Sequence, residues 1–292
     1  MVCIQGSTDQ SKLHSRQFRN QLHQVCSSRE AFRLHRQTHP RRTRRTQATG
    51  LSVMTIVIKL PGAGMIKKGP ATSSIEWLGY RDYRIDAGFY RDLLTLISSR
   101  NDTHKLVIVS GGVGSHLQLN LAKELGASSD DLKIIGTDHV RTLQRIFLSC
   151  CEKYDAVVHD TLLPVHELKT VMAASDASVF FVDPDTRFAS TDSLAAAAAQ
   201  AISADRLIVF KAKVPLFSAG FDAPTRIEKW PIDNLIERAE SFEALNSGHY
   251  IMDRASLEII RDAGISSYLL APENYSALFD IEQCDQATEI VL

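Results

Sequence analysis

The sequence predicts an α/β protein, a three-layer αβα sandwich around a mostly parallel sheet. Two observations carry this. From Met54 onward, short apolar runs alternate with helix-patterned segments, the order that builds right-handed crossovers with helices on both sheet faces. Runs such as LVIV at 106–109 and LIVF at 207–210 are apolar at every position, as strands buried on both faces are.

Taken in order, strands are expected at Thr55–Leu60, Lys105–Ser110, Ala156–His159, Ser178–Val182, Arg206–Phe210 and Ser267–Leu270. Helical patterns fall near 87–99, 115–125, 138–152, 166–173, 192–203, 232–244 and 253–263. The stretch Ser190–Phe217 organises the rest. Ser190-Thr191-Asp192 can cap a helix, an alanine-rich helix of about three turns follows, and Ala204-Asp205 breaks it. The next strand ends at Lys211-Ala212-Lys213. Helix N–H groups beside lysines at a strand's carboxyl end form an anion site. A well-packed crossover with two solvated lysines fits the same residues.

Residues 1–53 read differently. They hold ten Lys/Arg against Asp9 and Glu30, a net charge of +8, whereas the rest carries 23 basic and 32 acidic residues, a net −9. The segment lacks apolar periodicity and does not bury enough surface to offset its ordering entropy, so it reads as disordered. A start at Met54, an organellar transit peptide and a nucleic-acid-binding arm compete as its origin, in that order. The remaining chain, about 240 residues, suffices for one α/β domain, 54–292.

Five cysteines, odd in number and without CxxC spacing, argue against a disulfide framework or a zinc site. No apolar run is long enough to cross a bilayer. A soluble, reducing, cytoplasmic setting is the expectation, organellar if residues 1–53 are a transit peptide, with no membrane or nucleic-acid partner and no resident metal.

Three strand ends are glycine-rich or charged: Lys59-Leu60-Pro61-Gly62-Ala63-Gly64, Ser110-Gly111-Gly112-Val113-Gly114-Ser115, and Lys211-Ala212-Lys213. Glycine amides approach an anion closely because no Cβ intervenes. Each loop alone is an ordinary strand-to-helix turn; their recurrence points to a polyanion site.

The succession VIKLPGAG, LVIVSGGVG, STDSLAAAAAQAISADRLIVF and GHYIMDRASLEIIRDAGI resembles the amino acid kinase superfamily, nearest its archaeal-type uridylate kinase and molybdenum storage branch. Gly136-Thr137-Asp138-His139-Val140-Arg141, with Arg145, resembles a segment of those uridylate kinases. The resemblance implies a carbamate kinase-like sandwich that transfers the γ-phosphoryl group of ATP-Mg to a small acceptor oxyanion. It implies catalytic roles for Lys59 and Asp192, nucleotide phosphates at Gly62, Gly64, Lys211 and Lys213, and the acceptor at Gly111, Gly112, Arg141 and Thr191. Asp192, capping its helix, would hold the lysine ammonium, and Asp192→Asn would then cost activity more than stability. Arg141 and Arg145 fit acceptor binding or a subunit interface equally. The apolar set Val140, Leu143, Ile146, Phe147 and Cys150 suggests a homo-oligomer assembled through that helix.

The sequence also departs from the family. Pro61 and Ala63 interrupt the first glycine pair, Val214-Pro215 replaces a nucleotide-side Asp-Gly, and Asp183-Pro184-Asp185-Thr186-Arg187 replaces a glycine loop. Proline removes an N–H donor, and two aspartates repel an acceptor phosphate unless a metal or Arg187 intervenes. A non-catalytic binding or storage protein, or a regulatory subunit on the same fold, is therefore the alternative. His159, Asp160 and His166 are too loosely spaced for a metal site, and Trp77, Tyr80, Tyr83 and Phe89 fit packing better than base stacking.

Deleting residues 1–53 is expected to move the melting midpoint by less than about 3 °C, the shift that roughly 1 kcal/mol causes in a domain of this size. A midpoint many degrees lower would show that the segment packs.

Overall fold

The computed structural model describes residues 53–62, 66–68, 83–100, 103–112, 115–154, 156–211, 216–217, 226–244 and 252–292. The expectations on residues 1–52, Gly64, Trp77, Tyr80, Lys213 and Pro215 lie outside these. The described strands are β1 (Met54–Lys59), β2 (Ile66–Lys68), β3 (Tyr83–Ile85), β4 (His104–Val109), β5 (Val158–Leu163) and β6 (Val179–Val182). They continue with β7 (Arg206–Phe210), β8 (Leu216–Phe217), β9 (Arg226–Ile227), β10 (Lys229–Pro231), β11 (Ser267–Leu270) and β12 (Ala287–Val291).

Eight of them form one sheet in the order β10-β12-β11-β7-β1-β4-β6-β5. The block from β11 to β5 is parallel, as the apolar runs require, and β12 pairs antiparallel with β11. The chain leaves β1 toward β4 on one side and later returns to β7 on the other. That reversal makes the carboxyl end of β1 the switch point where such sheets gather ligands.

Side-chain parity divides the core in two. Ile56, Ile58, Leu106, Ile108, Ile208 and Phe210 pack with Phe89, Leu93 and Ile97 of the Ala87–Ser98 helix and Phe147 of the Ser129–Cys151 helix. Val57, Val107, Val109, Leu207 and Val209 pack with Leu194 and Ala195 of the Thr191–Ile202 helix and Leu257 of the Arg254–Ala263 helix. Each fully buried aliphatic side chain contributes about 1.5–3 kcal/mol, so this alternation fixes which way every strand residue faces. Lys59 lies two residues after Val57, and Lys211 two residues after Val209. Both therefore face the Thr191 helix.

That helix can lie close because its packed residues are small: Ala195, Ala196, Ala198 and Ala199 are fully buried. Ser203 ends it in the left-handed region at φ 52°, one residue before the expected break. Serine there costs about 1 kcal/mol relative to glycine. Asp205 follows, its Oδ2 accepting the Thr55 N–H at 2.6 Å and joining the start of β7 to β1.

Several elements differ from expectation. The third strand is Val158–Leu163, not Ala156–His159. It is the sheet edge, so it admits the polar His159-Asp160-Thr161, of which Asp160 and Thr161 are exposed, and these break the apolar run that would mark it. The helix expected at 138–152 begins at Ser129. Ser128 caps it, accepting the Asp131 N–H at 3.2 Å while Asp131 accepts the Ser128 N–H at 3.0 Å, and Gly136 sits in its interior. Strands β10 and β12 are short and polar enough to have read as loop. In the long helix Val140, Leu143 and Phe147 are core, while Ile146 is exposed, so most of the stripe read as an assembly surface packs inside. Gln144, fully buried on the same helix, donates to the Val182 carbonyl at 2.5 Å and fixes the helix to the end of β6. Among the described residues, no helix is long and apolar enough to cross a membrane.

Candidate functional site

Lys59 and Asp192 are the two buried charged residues of the described chain. They meet: Lys59 Nζ lies 2.9 Å from Asp192 Oδ1, with side chains 6% and 9% exposed. Lys211, the residue after β7, reaches the same carboxylate, Nζ to Oδ2 at 2.5 Å. The two carboxylate oxygens thus each face one ammonium group, Oδ1 that of Lys59 and Oδ2 that of Lys211.

The electrostatics follow from one negative charge shared by two positive ones. Burial opposes ionisation of Asp192, but Lys59 and Lys211 outweigh it and hold the carboxyl at about 2. For Lys59, burial is the largest influence and pulls the ammonium below its ordinary value; Asp192 opposes this, Lys211 adds to it and Asp253 opposes it. Two ammonium groups thus converge on one carboxylate, with the Asp253 charge acting on Lys59 from the neighbouring helix start.

Sequence reasoning gave Asp192 a capping role that belongs to Ser190. Ser190 Oγ accepts the N–H groups of Asp192 at 3.0 Å and Ser193 at 3.1 Å, and Ser193 Oγ accepts the Ser190 N–H at 3.0 Å, completing a capping box. Asp192, freed from capping, points to the lysines. Thr191 is the first helical residue, half-buried. Asp253 caps the neighbouring Arg254–Ala263 helix, accepting the Ser256 N–H at 3.0 Å, and also accepts the Ser190 hydroxyl proton. This link was not foreseen; two capped helix starts on one sheet face were its only trace in the sequence.

The glycine loops serve first to bring backbones together. A Cβ on Gly111 would stand 2.7 Å from the Leu60 carbonyl oxygen and 2.8 Å from Gly62 N. Leu60 N–H donates to the Val109 carbonyl at 2.8 Å, so the loops after β1 and β4 lie against one another. Gly112 is less confined, since a Cβ there would meet Ser115 Oγ at 3.3 Å and no backbone atom, and Gly62 has room.

Arg141 stands apart from the lysines. Its Nε donates to Asp183 Oδ1 at 2.7 Å, Nη2 to the Pro184 carbonyl at 2.7 Å, and Nη1 to Asp138. Arg187 pairs with Asp185, Nε to Oδ2 at 2.7 Å. The acidic loop is thus neutralised by arginine. These residues, with Thr137 and His166, line a cavity of about 380 Å³ at the carboxyl ends of β5 and β6. Its lining contains neither Lys59 nor Asp192. Arg145 is exposed on the following turn. Among the described residues, no cluster of three metal-ligating side chains occurs.

A mostly parallel sheet covered by helices, with a lysine–aspartate–lysine group at its switch point, defines an α/β fold. Residues 54–271 match the amino acid kinase family, and the chain belongs to that family. Among solved structures it is similar to uridylate kinase from Archaeoglobus fulgidus, at 19% identity over 82% of this chain and 100% of that one, TM-score 0.63. UMP kinase from Ureaplasma parvum matches at 18% identity over 82% and 100%, TM-score 0.60. Aspartate kinase from Synechocystis matches at 13% over 81% of this chain and 39% of that chain, TM-score 0.55. At these identities the likeness is one of fold. No curated protein sequence matches.

Asp192→Asn removes the charge that the buried Lys59 and the partly buried Lys211 share, and asparagine at this position has no cap to preserve. The expected loss is about 3–5 kcal/mol at neutral pH. Because the folded carboxyl is depressed to about 2 from 3.8, its contribution is fully present above 3.8 and disappears as pH falls through 2. The stability gap between wild type and variant should therefore narrow by about 2 kcal/mol across that window in urea titrations. A gap independent of pH would contradict the pairing.

Proposed function

We propose that the protein is an ATP-dependent small-molecule kinase, transferring a γ-phosphoryl group to a small acceptor oxyanion such as a nucleoside monophosphate, carboxylate or phosphate. The observation carrying this is the pair of lysines, Lys59 and Lys211, that converge on Asp192 at the switch point. Phosphoryl transfer needs positioning and charge neutralisation more than a nucleophile. ATP-Mg would supply the phosphoryl group and the metal that screens its oxygens. Lys59 and Lys211 offer donors for those oxygens, and Asp192 keeps both ammonium groups aimed at one place. The amides of Gly62 and Gly112 border the same strand ends, while Gly64 and Lys213 remain candidates for the nucleotide side. Arg141 and Thr191 are the acceptor-side candidates, with the cavity beside Arg141 as the space available.

A binding or storage role without transfer is the second reading, favoured by Arg141, whose guanidinium is already engaged by Asp183, Asp138 and the Pro184 carbonyl. One experiment separates the two. With ATP-Mg and a panel of nucleoside monophosphates and small acids, Lys59→Ala should lower kcat at least about 100-fold while changing ATP affinity only a few-fold, as loss of a transition-state contact does. A wild-type protein that binds ATP or an oxyanion but transfers to no acceptor would favour the second reading.

The protein is further proposed to act in the cytoplasm as a homo-oligomer. Leu117 and Leu121 of the Ser115–Glu124 helix, with Leu125, Ile134 and Ile146, are exposed apolar residues. Such a group favours burial against a second copy. Light scattering at micromolar concentration should give at least the dimer mass, and a monomer would reject this.

A further inference from the structure

We infer that Asp253 is a positioning residue for the lysine–aspartate–lysine site, holding the start of the Thr191 helix through Ser190 while presenting its charge to Lys59. The inference rests on reading that site as the functional centre.

Donor and acceptor accounting carries it. A serine hydroxyl has two lone pairs and one proton. Both lone pairs of Ser190 are used, by the Asp192 and Ser193 N–H groups. Its proton needs an acceptor. Ser193 Oγ is a poor one at 3.5 Å, since it already accepts the Ser190 N–H and donates to the Ser190 carbonyl at 2.9 Å. Asp253 Oδ2 takes the proton instead. Asp253 Oδ1 is meanwhile occupied by the Ser256 N–H at 3.0 Å. Both carboxylate oxygens must therefore accept, and this is where aspartate differs from asparagine.

Asparagine at 253 fails in either orientation. With its oxygen on Ser256 N–H, its amide donors face a serine with no lone pair left. With the amide turned, the cap of the Arg254 helix is lost. Asparagine is normally as good a cap as aspartate, so sensitivity to this change reports the Ser190 link and not capping. The link bears on the site because the N–H held by Ser190 is that of Asp192 itself. Three charged groups face Lys59: Asp192 from the Thr191 helix, Lys211 from the end of β7 and Asp253 from the Arg254 helix. Asp253 acts on Lys59 by its field, since its oxygens are occupied elsewhere.

The test uses Asp253→Asn, Ser190→Gly and the double variant in the full chain. Glycine is tolerated at a helix cap, so Ser190→Gly removes the hydroxyl with little other cost. The first readout is the side-chain nitrogen-15 titration of Lys59, assigned by its disappearance in Lys59→Arg. Asp253→Asn should lower the Lys59 midpoint, because a negative charge is lost, and Ser190→Gly should move it less. The second is melting temperature, where Asp253→Asn should cost clearly less in the Ser190→Gly background than in wild type. An unmoved Lys59 midpoint together with additive melting shifts would overturn the inference. If the Lys59 midpoint moves but no acceptor is phosphorylated by wild type, the kinase reading falls and the positioning role stands. If transfer is present and Asp253→Asn changes neither kcat nor the Lys59 midpoint, the kinase reading stands and this role falls.

Discussion

One carboxylate is shared directly by two ammonium groups, and the arrangement of the sheet end depends on that contact. Burying a lysine amid aliphatic strands is costly unless its charge is paired. Asp192 provides the pair for Lys59 and is shared with Lys211. In the proposed function, two ammonium groups held at one place by that carboxylate are what suit the location to a polyanion.

The fold supplies the three groups from different parts of the chain. Strand parity turns Lys59 and Lys211 to the same face, since each stands two residues after a valine packed under the Thr191 helix. The alanine face of that helix lets its N-terminus come close to the strand ends, and Ser190 frees Asp192 from capping duty. The glycine loops contribute by contact between backbones: Gly111 allows the loops after β1 and β4 to touch, which keeps the end of β1 in place.

Much of this is legible in the sequence, for identifiable reasons. Strands buried on both faces are uniformly apolar, so Arg206–Phe210 and Ser267–Leu270 are readable to the residue. Lys59 and Lys211 stand out because each terminates such a run. The edge strand Val158–Leu163 is not, because an exposed face admits His159 and Asp160. The capping box at Ser128 and Asp131 was present in the sequence, but Gly136 obscured the helix that follows it. The engagement of Arg141 by Asp183 and of Ser190 by Asp253 joins residues 42 and 63 positions apart, and no local pattern announces it. Charged residues at strand ends were readable as positions; contacts between distant loops were not.

The shared carboxylate is tested most directly by a carbon-13 titration of the Asp192 side chain, in wild type and in Lys211→Met. The account predicts a wild-type midpoint of about 2, moving up toward the ordinary 3.8 when Lys211 no longer shares the charge. A wild-type midpoint near 3.8, unchanged in Lys211→Met, would contradict it.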